Sequence, residues 1–245
     1  MSIRTHRMPR LTPLSLTSAA LHLVAALALL AGAATLETEL PVRLSAPGVP
    51  PVPFAAVDLA VATSVVLLVS AVVRLAVSIR PLCDRHVAGL ASGRAGWRWL
   101  ELSQTASITV VLVALLNGVA ESGVLVALYA LAAGAVVLLW LQDRQTTPGL
   151  AGLGAFSAGA AIGIVPWGVI AIYQVTRLVL GEPVGDVVGI GTIALLALSA
   201  AQWFSVWWHR ERSRAALHAP AAERVFIELT LAHSLVLVLV AVLAG

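Results

Sequence analysis

Four ionisable residues, His22, Arg74, Glu101 and His233, each stand inside a long apolar run. Charges in hydrocarbon are costly, so such residues pair, face water or carry function. The chemistry open to them is narrow. Glu101 and the two imidazoles can exchange protons, while Arg74 is a permanent cation able to neutralise a carboxylate. Arg74 and Glu101 are therefore expected to form a buried, hydrogen-bonded pair; the other reading of Arg74 is that it snorkels to the nearer surface. Two histidines and a carboxylate can also bind zinc, although no His-Glu-x-x-His spacing accompanies them. His22 has a plainer reading as well, a ring bonded to a backbone or hydroxyl group for packing alone. Glu228 follows Arg224 by four residues and is assigned to a helix-surface ion pair. Ser103 and Ser107, also four apart, share one helix face and form a polar stripe expected to look into the bundle. One reaction is excluded outright. All fifteen basic residues are arginine, so no side chain offers a primary amine to condense with an aldehyde. The single cysteine, Cys83, allows neither an internal disulfide nor a thiolate metal cluster.

The elements that must hold these residues are membrane helices. Hydrophobic residues make up 60% of the 245, charged residues 11%, and the mean hydropathy is +0.97, values outside those of soluble domains. Crossing a bilayer core takes about 20 apolar residues per helix. Seven runs qualify: Ser15–Thr35, Ala55–Ile79, Trp99–Ala120, Ser122–Gln142, Leu153–Val175, Val187–Trp208 and Val225–Ala244. The first is expected to be retained, since no small-residue cleavage site follows its arginine-rich start. Residues 1–245 thus read as one seven-helix membrane domain in the cell membrane. The formal charge of +3 is dispersed between spans, which argues against a nucleic-acid partner and leaves the lipid bilayer as the first one.

Arginine bias sets the expected orientation. The N-terminal tail carries three, the second connection four, the fourth one and the sixth four; the opposite side has only Arg43 and Arg177. The N-terminus is accordingly expected on the cytoplasmic side, and the four central ionisable residues within roughly 5–15 Å of that face at 1.5 Å per helical residue. The basic linker Arg210–Ala222 reads first as ordinary positive-inside charge and second as a docking surface for a cytoplasmic protein partner. In the first external connection, Glu37, Glu39 and Arg43 alternate with Leu40, Val42 and Leu44 before a proline-rich run to Phe54, a pattern suited to a short β-hairpin. Pro166 is expected to kink the fifth span by removing a backbone donor. Helix four offers a packing surface and no chemistry.

Several stretches together resemble the heliorhodopsins. They are Leu21-His22-Leu23, Ser70-Ala71-Val72-Val73-Arg74-Leu75, Arg98-Trp99-Leu100-Glu101-Leu102-Ser103-Gln104-Thr105-Ala106-Ser107, Gly163-Ile164-Val165-Pro166-Trp167, and Glu223-Arg224-Val225-Phe226 with Leu229-Thr230-Leu231 and Ala232-His233-Ser234. The resemblance implies the inverted orientation and the loop hairpin, and it suggests a dimer. It also assigns positions. Glu101 stands where the family holds the counterion of the retinal Schiff base, and Trp167 where an indole lines the retinal chamber. His22 matches one interior histidine and Arg74 replaces another. His233 stands at the position of the retinal-binding lysine. Leu102 departs from the family tyrosine, and Leu198-Ser199-Ala200-Ala201-Gln202-Trp203 lacks the aromatic run that grips the ring end of retinal. The expected function is therefore that of a non-enzymatic, non-pumping membrane protein that has lost covalent retinal and acts as a sensory protein, a scaffold or a binder of apolar ligands. One alternative is a photoreceptor using non-covalently bound retinal or another polyene. A second is a metal or proton-relay site at His22, Glu101 and His233.

Overall fold

The computed structural model describes residues 11–36, 38–92, 94, 96–144, 152–211 and 215–244. Seven helical spans are long and apolar enough to cross a membrane. The first is α1 (Leu11–Gly32), extended by a short 3-10 turn, Ala33–Thr35. Two strands follow, β1 (Glu39–Ala46) and β2 (Val49–Asp58), antiparallel, with a left-handed glycine, Gly48 at φ 77°, in the turn. The alternation read from the sequence is visible in β1, where Leu40 and Val42 are buried and their neighbours exposed. The hairpin is pinned to the bundle by the Arg43 amide, which donates to the Ala120 carbonyl at 2.8 Å.

The hairpin consumes more chain than expected. β2 runs to Asp58, whose carboxylate accepts the Val61 amide at 2.8 Å and caps α2 (Leu59–Ala76). The second span therefore starts at Leu59, not Ala55. The second connection contains a helix the hydropathy did not indicate, α3 (Leu82–Ala91). It is too short and too mixed in composition to cross a bilayer. Spans three and four are α4 (Gly96–Leu116) and α5 (Ser122–Arg144). The fifth span breaks at Ile164 into α6 (Gly154–Gly163) and α7 (Val165–Val179), with Pro166 in the first turn of the second piece. The break has the cause the sequence indicated: proline has no amide to donate and its ring crowds the preceding turn. Span six is α8 (Asp186–Glu211). Span seven lies within α9 (Ala215–Leu243), which begins ten residues before the expected Val225. Residues 1–10 and 212–214, with much of the arginine used for the orientation argument, lie outside the described residues.

In packing, α1 lies against α2 and α9, α2 against α4, α4 against α5, α5 against α6, and α8 against α9. Small residues permit the closest approaches. Gly159 and Gly163 receive the Trp203 indole and the α5 backbone at Ala135, and Gly191 faces Val240 so closely that any Cβ would overlap its Cγ2. The main apolar core joins Leu59, Val66, Leu112, Leu128, Trp167, Ile170, Leu195 and Leu237. Outward faces stay apolar, as at Val126, Ile172, Val179 and Ile190, each more than 60% exposed. Such faces are tolerable only in lipid.

Candidate functional site

One end of the bundle is closed by buried charge. Arg74 stands in the last turn of α2, Arg98 in the first turn of α4 and Glu101 one turn later, and Glu223 two turns into α9. Arg74, Glu101 and Glu223 are each no more than 2% exposed. Arg74 Nε donates to Glu101 Oε1 at 3.3 Å. Its Nη2 approaches Oε2 to 2.6 Å as an ion contact without hydrogen-bond alignment. Nη1 donates to Glu223 Oε1 at 2.8 Å. The other Glu223 oxygen accepts two bonds from Arg98, from Nη2 at 2.7 Å and Nε at 3.2 Å. Glu223 is thus the hub between two guanidinium groups.

Phe226, one turn after Glu223, completes the arrangement. Its ring centroid lies 5.0 Å from Arg74 Cζ and 5.2 Å from Arg98 Cζ, within cation–π range of both. Two arginines and two glutamates balance, which is the condition for burying them at all. α3 covers the network. Its buried His86 places Nε2 3.7 Å from Glu223 Oε1. Burial holds the His86 imidazole below the usual histidine range; Glu223 opposes that shift, and Arg74 and Arg98 reinforce it.

The expected Arg74–Glu101 pair is present, and snorkelling is not what Arg74 does. The wider expectation of a four-residue cluster is corrected. His22 bonds to hydroxyl and backbone groups and not to the charges: its Nδ1 lies 2.7 Å from the Ser18 carbonyl and its Nε2 2.8 Å from Ser234 Oγ. A carbonyl only accepts, so Nδ1 carries the hydrogen, and the ring braces α1 against α9. His233 points instead toward α8, with Nε2 3.2 Å from Ser199 Oγ. Its Nδ1 lies on the side of the Leu229 carbonyl without a hydrogen bond of good geometry. Among the described residues no three His, Cys, Asp or Glu side chains converge in a way that could hold a metal ion. The structure does not bring His22, Glu101 and His233 together as a metal site.

Between His233 and the charge network lies a small cavity of mixed lining, with Ser70, Thr105, Gln202 and His233 beside the apolar Val66, Leu102 and Leu237. Ser70 Oγ is buried there beside Glu101 without a hydrogen bond of good geometry. The cavity measures about 20 Å³, room for one water, which needs roughly 10–15 Å³ on this measure. Of the two stripe residues, Ser107 is fully buried and Ser103 only partly so. Ser103 and Ser107 donate to their own helix, to the Leu100 carbonyl at 2.9 Å and the Ser103 carbonyl at 2.6 Å, while Thr105 and Thr109 face the cavity. Trp167 is buried in the central apolar core and does not line the cavity. Arg224 and Glu228 pair at 2.7 Å on the exposed surface, as the spacing indicated.

Two features of the chain bear on retinal at the cavity beside His233. The chain has no lysine to bind it, and about 20 Å³ is far below the roughly 300–1,000 Å³ of small-molecule pockets.

Arg98, Glu223 and His86 fall in or beside arginine-rich connections; Arg98 was counted with the connection charge, and Glu223 and His86 were given no role. A signal existed. Arg98 and Glu101 are three apart on one face at the start of a span, as are Glu223 and Phe226.

The chain matches no curated protein. A family model described as Heliorhodopsin matches residues 11–191, from α1 into α8, and stops short of Glu223 and His233. With most of its spans inside that match, including the segments that carry His22, Arg74, Glu101 and Trp167, the chain belongs to the heliorhodopsin family.

Proposed function

We propose that this heliorhodopsin-family protein works without a retinal Schiff base, as a non-pumping sensory or scaffold protein whose resting state is held by its own buried cation. The observation that carries the reading is the Arg74–Glu101 contact at 2.6 Å in a chain without lysine. In this reading His233 occupies the lysine position, Glu101 the counterion position, and Arg74 supplies permanently the positive charge that a protonated imine would supply conditionally. Imidazole has no NH₂ group and forms no stable imine. What a bound chromophore would control is instead a latch. The network ties α2, α4 and α9 at the end capped by α3, and separating them exposes or orphans buried charges.

The arginine count supports placing that end in the cytoplasm, where α3 and the connection between α8 and α9 would meet a protein partner; a homodimer is the assembly the family resemblance suggests. The test is spectroscopic. Retinal added to the purified protein should keep its free-aldehyde absorption and be extracted by solvent without hydroxylamine. His233→Lys alone should give little pigment, since Arg74 competes for Glu101 and the cavity is small. Adding Arg74→His should increase the yield. A red-shifted, hydroxylamine-sensitive band from the unmutated protein would overturn the proposal, and a solvent-extractable shifted band would favour non-covalent retinal.

A further inference from the structure

At the end of the bundle opposite the charge network, the tips of α4 and α7 form an open groove lined by Gly118, Ile172, Tyr173, Thr176, Arg177 and Glu182. It measures about 390 Å³, nearly twenty times the internal cavity. Its geometry points to a ligand. Arg177 is fixed at one atom only, Nε donating to the Glu182 carbonyl at 3.1 Å. Its two terminal nitrogens have no partner among the described residues. The guanidinium lies over Gly118, where a Cβ would come within 3.5 Å of Nη1 and where φ is +89°. The backbone conformation calls for glycine there, while the guanidinium sits at ordinary contact distance. The fork is thus oriented and left open, the arrangement that binds a phosphate by two parallel bonds.

Position decides what kind of phosphate. Arg177 belongs to the last turn of α7, at the end of a membrane span. Around it Ile172, Val175, Leu178, Val179 and Leu180 are all more than half exposed, an aliphatic surface suited to acyl chains. Charge decides which headgroup. Glu182 lines the groove, and Glu121 joins its edge by accepting the Tyr173 hydroxyl at 3.3 Å. Arg43 pairs through its backbone with Glu121, so two arginines and two glutamates meet here, and charges of both signs suit a zwitterionic headgroup better than one that is net anionic.

We propose that this groove is a phospholipid site selective for a phosphoethanolamine headgroup, with the phosphodiester on Arg177 and the ammonium directed to Glu121 and Glu182. The ammonium faces the carboxylates and donates hydrogen bonds that a choline group cannot.

The experiment titrates delipidated, detergent-solubilised protein with phosphatidylethanolamine, phosphatidylcholine or phosphatidylglycerol of identical acyl chains, followed by native mass spectrometry and thermal melting. Phosphatidylethanolamine should bind about tenfold more tightly than either rival, the value of one charge-assisted hydrogen bond. Arg177→Gln should abolish that advantage while eluting as the unmodified protein does. Glu182→Gln should move the preference toward phosphatidylglycerol. Soluble phosphoethanolamine at millimolar concentration should not stabilise the protein, because it lacks the chains that cover Ile172 and Leu180. Equal binding of all three lipids, retained selectivity in Arg177→Gln, or full stabilisation by the soluble headgroup would each overturn the site.

Discussion

Replacing Glu223 by glutamine should damage the protein more than the same change at Glu101, although the proposed reading gives the counterion position to Glu101. Glu223 serves Arg74 at 2.8 Å, both nitrogens of Arg98 at 2.7 and 3.2 Å, and His86 at 3.7 Å. Its neutralisation leaves Arg98 with no carboxylate and leaves Arg74 with Glu101 alone. An uncompensated buried charge costs about 3–5 kcal/mol. Glu101→Gln orphans nothing completely, because Arg74 keeps Glu223, and should cost about 1–3 kcal/mol, the range for losing one charged hydrogen-bond partner. Arg74→Leu strands Glu101 and belongs with the larger class. The double variant Arg74→Leu, Glu101→Gln removes the stranded carboxylate, so its loss should fall short of the summed single losses. For a chain of this size about 1 kcal/mol moves a melting midpoint by roughly 2–4 °C. Glu223→Gln should therefore lower the midpoint in detergent by about 10 °C, and Glu101→Gln by roughly half of that or less. Equal losses at the two glutamates, or strict additivity in the Arg74–Glu101 pair, would refute the hub.

Gly191→Ala places a Cβ against Val240 and should cost about 1–3 kcal/mol as an overpacked contact; Val240→Ala in the same chain should recover most of it in the same melting assay. The His86 imidazole is held below its usual range by burial, so the unfolded chain binds that proton more readily than the folded one. Stability should then be full above about pH 6.5 and decline as pH falls below it, with His86→Gln flattening the melting-temperature profile across that window. Cys83 is the only cysteine in the chain and is partly exposed on α3. A membrane-impermeant maleimide should label it in inverted but not in right-side-out vesicles if that end is cytoplasmic, and the opposite pattern would reverse the orientation.

Much of this molecule is legible in one dimension because lipid imposes a simple rule. Each span must be long, apolar and internally hydrogen-bonded, so seven runs of hydropathy become seven helical spans. Pro166 breaks the fifth for a covalent reason, the missing amide, and the alternation about Leu40 and Val42 marks a strand whose one face packs inward. The absence of lysine is settled by composition and needs no structure. Arg74 and Glu101 could be paired in advance because two opposite charges at similar depth in hydrocarbon have few other ways to be stable.

Partner choice at the span ends was decided by tertiary structure. Glu223 lies 149 residues from Arg74 and 125 from Arg98, and nothing local separates a carboxylate that faces water from one that becomes a hub. That distinction is made by α3, which folds over the network and excludes solvent from it. His22 and His233 were grouped with the charges by depth alone. Rotation about the helix axes sends one ring to Ser234 and the other to Ser199, and depth carries no information about rotation. The volume left beside His233 is likewise a property of seven packed surfaces at once. Hydropathy determines which segments enter the membrane; the azimuth of each helix about its axis determines which side chains meet there, and only the assembled bundle sets it.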